Sequence, residues 1–166
     1  EKEKFGDGDF ILTNELLHEK YIKPLNLSCG VAFLEKYAIG EPTNIMVDQI
    51  RADLPKNLKR MVAIGGGAVM DTAKMLSLHT SSNETEALFD LSPNAEKPTL
   101  LFDVYAVPTT CGTGSEVTNA CAVELVSLHT KRGLNNDLMF VKKAILIPEL
   151  IYGLPYKFFA TSSIDA

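Results

Sequence analysis

The chain has no Cys-x-x-Cys pair, and its three cysteines, Cys29, Cys111 and Cys121, are odd in number and scattered. A zinc ribbon or disulfide scaffold is therefore disfavoured, and reduced thiols in a cytoplasmic protein are the expectation. There is no basic run: 16 Lys and Arg stand against 21 Asp and Glu, for a net charge of -5. Such a chain is poorly suited to gripping nucleic-acid phosphates. No stretch approaches the ~18 consecutive apolar residues of a membrane helix. No signal peptide and no initiator methionine open the sequence, which begins Glu1-Lys2-Glu3-Lys4. Internal repeats and low-complexity segments are also missing. What remains is ordinary globular material, 166 residues with 46% hydrophobic and 22% charged, enough for one domain with a real core.

Short apolar runs alternate with helical patterns. Phe10–Thr13 reads as a buried strand, followed by Asn14 and a helix-like stretch through Tyr21. Val31–Leu34 is a second run. A turn at Gly40–Thr43 follows, with Thr43 or Asn44 able to cap a helix to about Asp53. Met61–Ile64 is a third run, and a helix over Ala68–Leu78 places Val69, Ala73 and Leu76 on one face. Thr80–Thr99 is polar, holds Pro93 and Pro98, and reads as loop around a short helix. Leu100–Val107 and Lys143–Ile147 are the last strand-like runs. This alternation predicts βαβ units in a mostly parallel sheet flanked by helices. Ligands in such sheets bind beyond the carboxyl ends of the strands.

Two segments stand at such ends. Gly65-Gly66-Gly67 leaves a strand and opens a helix. Glycines there let a ligand approach the backbone, and the helix N-terminus suits a pyrophosphate. A full Gly-x-Gly-x-x-Gly is not present, because Met70 occupies the last position, and no Walker lysine follows. A tight turn with no ligand would also account for this motif alone. Asp71 in the first turn would compensate the helix dipole, and Lys74 reads as one half of a solvated ion pair. The second segment is Val107-Pro108-Thr109-Thr110-Cys111-Gly112-Thr113-Gly114-Ser115-Glu116-Val117-Thr118, with five hydroxyl side chains and two glycines. Many small donors on a flexible backbone suit phosphate, ribose or amide groups. Two such loops point to a dinucleotide rather than a lone phosphate.

Gly65–Lys74 resembles the Gly-Gly-Gly-Ser-x-x-Asp-x-Ala-Lys motif of the iron-containing (group III) alcohol dehydrogenases, with Ala68 in place of the serine. Pro108–Thr118 resembles that family's Pro-Thr-Thr-x-Gly-Thr-Gly-Ser-Glu-Val-Thr signature. Gly153-Leu154-Pro155 and Ser163-Ile164-Asp165-Ala166 are similar to its Leu-Pro … Asp-Ala segment. His129–Gly133 and Gly153–Phe159 look most like the branch acting on 4-hydroxybutyrate. The resemblance implies a Rossmann-like N-terminal domain over residues 1–154. Residues 155–166 would begin a helical metal-binding domain, the rest of which the sequence does not contain.

By the same resemblance Gly65, Gly66, Gly67 and Asp71 belong to the cofactor site, with Gly66 and Gly67 facing the pyrophosphate. Thr109, Thr110, Thr113 and Thr118 would line it, and Lys131 would reach the ribose near the nicotinamide. Asn14 stands where NAD-selective relatives often place an aspartate that holds the ribose 2′-OH. It leaves NAD against NADP open, with a lean to NAD. Ile147 replaces an aspartate often found before Pro148. Asp165 would be the first of four ligands to a divalent metal, Fe2+ or Zn2+; His18, His79 and His129 lie in no metal motif.

The implied reaction is hydride transfer between nicotinamide and a primary alcohol or aldehyde, with 4-hydroxybutyrate and succinate semialdehyde as the pair. The segment itself is expected to bind cofactor without turnover, and a cytoplasmic homodimer is expected by likeness. Two alternatives are a dehydroquinate-synthase-like cyclase and a non-catalytic nucleotide-binding module. Neither a nucleic-acid nor a membrane partner is expected.

Overall fold

The computed structural model describes residues 4–37 and 40–165, for Asp165 the backbone alone; Glu1-Lys2-Glu3 and Ala166 lie outside the described residues. In chain order the strands are β1 (Asp9–Thr13), β2 (Gly30–Phe33), β3 (Arg60–Gly65), β4 (Leu78–His79), β5 (Thr99–Leu100), β6 (Asp103–Pro108), β7 (Ala120–Leu125), β8 (Thr130–Asn135) and β9 (Lys143–Ala144). The helices are α1 (Glu15–Leu17), α2 (Asn44–Asp53), α3 (Gly67–Ser77) and α4 (Tyr156–Asp165).

Five strands form one sheet in the order β2-β1-β3-β6-β9, every pair parallel. Side chains alternate across it as the pleat requires. Leu12, Met61, Ala63, Val104 and Ala106 face the main core with α2 and α3. Their neighbours Ile11, Val62 and Val107 face the other side, where Ile22 and Leu150 pack. A sheet covered on both faces explains why its strands read as near-continuous apolar runs. The α/β architecture expected from the sequence is thus present.

Three boundaries differ from expectation. The run Leu100–Val107 is two strands, because the Leu101 N–H donates to the Ser77 carbonyl at 2.8 Å and β5 pairs antiparallel with β4. At Lys143–Ile147 only Lys143 and Ala144 pair in the ladder, although the Ile145 N–H still reaches the Ala106 carbonyl at 2.8 Å. A hairpin of β7 and β8 also follows the Thr-rich loop. Its outer strand is polar and exposed, so it carries no alternation for sequence reading to detect.

The helices are held at their ends. Thr43 caps α2, its hydroxyl accepting the Met46 N–H at 3.1 Å. Arg51 reaches from α2 to the carboxyl end of α3, donating to the Met75, Leu76 and Leu78 carbonyls at 2.9–3.2 Å. The Thr13 hydroxyl donates to the Ile64 carbonyl at 2.8 Å, which ties β1 to β3 beside the glycine turn.

At the opposite end of the sheet Arg60 makes a two-pronged bond to Asp9, Nε to Oδ1 at 2.8 Å and Nη2 to Oδ2 at 2.6 Å. The guanidinium holds the Asp9 carboxyl below the usual carboxylate range. With the folded pKa below the unfolded one, the stabilisation is full above the unfolded value and disappears as pH falls through the folded value. Asp9→Asn should therefore cost about 2 kcal/mol near neutral pH and flatten the acid limb of a stability-against-pH curve measured by urea unfolding.

Candidate functional site

The glycine turn and the Thr-rich loop leave β3 and β6, which are neighbours in the sheet, at their carboxyl ends. The structure packs the two against each other. The Thr109 N–H donates to the Gly65 carbonyl at 3.0 Å. A methyl on Gly66 would stand 3.2 Å from the Thr110 hydroxyl, and one on Gly67 would stand 3.0 Å from the Thr113 methyl. Gly65 answers a different demand, since a Cβ there would collide with the Val69 side chain at 2.5 Å. Gly112 and Gly114 sit at φ +106° and +63°, backbone that side chains disfavour.

No side chain caps the start of α3. The Val69 and Met70 amides donate to the Gly66 carbonyl at 3.1 and 3.2 Å, which leaves the Gly67 and Ala68 amides without a partner within the helix, at the positive end of the dipole. The turn, the loop and this helix start together form an anion cradle bounded by Gly66, Gly67, Thr110 and Thr113. The free amides of this helix start suit a phosphate, while Gly66 and Gly67 carry no Cβ because the Thr110 and Thr113 side chains pack against them.

Behind the cradle lies a charged pair. Lys74 is fully buried and donates to the Ala120 carbonyl at 2.8 Å and to the Thr118 hydroxyl at 3.3 Å. Asp71 accepts the Ala122 N–H at 3.0 Å, and its second oxygen lies 3.8 Å from the Lys74 ammonium. Burial pushes the Lys74 ammonium down and the Asp71 carboxyl up. Lys74 is therefore no solvated surface charge, as its sequence neighbourhood had implied. It is a buried pin that fixes the point where the loop enters β7.

The other sequence candidates lie around this centre. Thr109 is buried, and the Thr118 hydroxyl is bonded to Lys74. Lys131 on β8 forms an exposed ion pair with Glu41 at 2.9 Å. Asn14 sits at the carboxyl end of β1 and donates from Nδ2 to Glu35 Oε1 at 2.9 Å. Sequence reading passed over Glu35, although it follows the β2 run as Asn14 follows β1. Cys111 in the loop lies 3.6 Å from both the Ser162 and Ser163 hydroxyls of α4. The Asp165 side chain falls outside the described residues. Among the described residues no group of three or more His, Cys, Asp or Glu could hold a metal ion, so no metal centre is assembled by them. No described helix is long and apolar enough to cross a membrane.

A sequence profile of the iron-containing alcohol dehydrogenases matches residues 3–148. The chain belongs to that family. It is 45% identical over 164 residues to the 4-hydroxybutyrate dehydrogenase of Clostridium kluyveri, covering 98% of this chain and 43% of the relative. It is 33% identical over 129 residues to the 4-hydroxybutyrate dehydrogenase of Cupriavidus necator, covering 75% of this chain and 33% of that one. Sulfoacetaldehyde reductase from Bifidobacterium kashiwanohense, solved in complex with NAD+, superposes with a TM-score of 0.75 at 26% identity. That match covers 95% of this chain and 43% of the reductase. This iron-containing alcohol dehydrogenase chain thus spans less than half the length of these relatives. The likeness to dehydrogenases does not favour the cyclase alternative.

The buried pair gives a stability test. Lys74→Met leaves the Asp71 carboxylate buried without its cation and should cost about 3 kcal/mol in urea unfolding. Lys74→Met combined with Asp71→Asn should cost less than the sum of the two single changes, because the two sites are coupled.

Proposed function

We propose that this chain is the cofactor-binding part of an NAD(P)-dependent alcohol dehydrogenase, taking the pyrophosphate of the dinucleotide at the start of α3, beside the Thr-rich loop. The observation that carries the reading is the start of α3, which no side chain caps, at the carboxyl end of β3 and beside the loop that leaves β6. The Gly67 and Ala68 amides at the start of α3 would hydrogen-bond the phosphates, with the Thr110 and Thr113 hydroxyls flanking them. Thr109, through its amide, and Thr118, through Lys74, hold that loop in place. Asp71 serves from behind, by fixing the Ala122 amide. Lys131 lies on the hairpin toward the nicotinamide end, where its cation would meet ribose hydroxyls once released from Glu41.

The bound dinucleotide would supply the hydride-accepting carbon, and the chain supplies its placement. The substrate is a primary alcohol or its aldehyde, and 4-hydroxybutyrate with succinate semialdehyde is the pair that the Clostridium kluyveri relative favours by name. Asp165 is assigned to a divalent metal by family likeness alone. Residues 155–166 begin the helical metal-binding domain in this reading. The protein acts as a cytoplasmic homodimer.

Titration calorimetry of the protein with NAD+ and NADP+ tests the core of this reading. Saturable binding of at least one dinucleotide is expected. Gly67→Val should weaken it by about tenfold or more, equivalent to ~1.4 kcal/mol, with the circular dichroism spectrum retained. No heat from either dinucleotide up to millimolar concentration would overturn the reading.

A further inference from the structure

At the corner beyond β1 and β2, Asn14 meets Glu35. Asn14 is a neutral amide where a carboxylate would discriminate the ribose. Its Nδ2 is committed to Glu35 Oε1 at 2.9 Å, and the Glu15 N–H donates to Glu35 Oε2 at 3.4 Å. Both oxygens of Glu35, from the segment after the neighbouring strand, are thereby anchored at the carboxyl end of β1. Asn14 keeps its Oδ1 as an acceptor. The corner is also poor in cations. Lys36, the next residue, is turned onto Asp53 at 3.1 Å. On the segment after β1, Lys23 is turned onto Glu19 at 2.6 Å and Lys20 lies over the Tyr21 ring at 4.9 Å. Glu15 adds a second exposed acid beside Glu35. His18, in the turn that continues α1, packs its ring on Phe33 at 5.1 Å.

We propose that Glu35, held by Asn14, makes this site selective for NAD over NADP. The inference rests on the dinucleotide reading above. A ribose 2′-hydroxyl can donate to the Glu35 carboxylate or to Asn14 Oδ1. A 2′-phosphate meets instead a fixed negative charge and, among the described residues, basic side chains already turned onto other partners. The Asn14–Glu35 pair restores across two strands the charge that an aspartate at position 14 would supply alone. Glu35 is here a specificity-determining residue and takes no part in the chemistry.

Glu35 also braces the start of α1, so overall affinity cannot separate the two roles; the ratio of the two affinities can. Calorimetry with NAD+ and NADP+ is performed on the wild-type protein, Glu35→Gln and Glu35→Asp. The wild type should bind NAD+ about tenfold or more tightly than NADP+, and Glu35→Gln should narrow that ratio mainly by raising NADP+ affinity. Glu35→Asp should keep most of the preference. Raising the ionic strength on the wild-type protein should favour NADP+ relative to NAD+, because salt screens the repulsion. That arm needs no variant to fold. An unchanged ratio in Glu35→Gln, together with a salt-independent ratio in the wild type, overturns the proposal while leaving dinucleotide binding intact. Absence of binding to both nucleotides defeats the dinucleotide reading, and this proposal with it.

Discussion

The buried ammonium of Lys74 is the constraint around which the ligand-facing half of the molecule is arranged. A lysine with no exposure must find partners for its protons, and the chain provides the Ala120 carbonyl, the Thr118 hydroxyl and the Asp71 carboxylate. Two of those partners lie at the junction of the Thr-rich loop and β7. The third is one turn back on α3 and holds the Ala122 amide. Satisfying one charge therefore fixes the helix, the end of the loop and the inner strand of the hairpin relative to one another. The loop's other end is fixed by the main chain, where the Thr109 amide meets the Gly65 carbonyl. Both walls of the cradle follow from these attachments.

The sheet was legible because its strands are buried on both faces. The runs at residues 10–13, 31–34 and 61–64 fall on β1, β2 and β3 within a residue at most of the ladder. That the two candidate segments meet was legible for a different reason: each leaves the carboxyl end of an apolar run, and those runs are neighbours in the sheet. Lys74 was misread because helix periodicity finds only one covered face. The helix is in fact covered nearly all round, Met70, Thr72, Ala73, Lys74, Met75 and Leu76 all being buried. Part of its cover is β7, whose partner β8 is too polar to announce itself. Glu35 was missed because its role depends on which strand lies beside β1, and register across a parallel crossover is not written in local pattern. The split between β5 and β6 turns on one long-range bond to Ser77, which no local propensity encodes.

The family likeness and the physical reading meet at the same residues from different directions. The likeness concerns motif order along the chain. The structure adds why the order works: β3 and β6 are adjacent, so two motifs some forty residues apart face each other across a single strand spacing of about 5 Å. Small side chains are required on both sides of that gap, and both motifs are built of glycine and threonine.

The hairpin has a consequence of its own. It is fastened along its length, with the Glu124 amide on the Pro42 carbonyl, the Val126 amide on Asn44 and the Ala122 amide on Asp71. The Thr-rich loop thus hangs between two anchored ends rather than closing over a ligand as a hinged flap. The conformational entropy of its two ends is surrendered when the chain folds, not when a guest arrives. A ligand taken here as proposed would meet a loop whose two ends are already placed, and the free energy of ordering them would stay available for affinity.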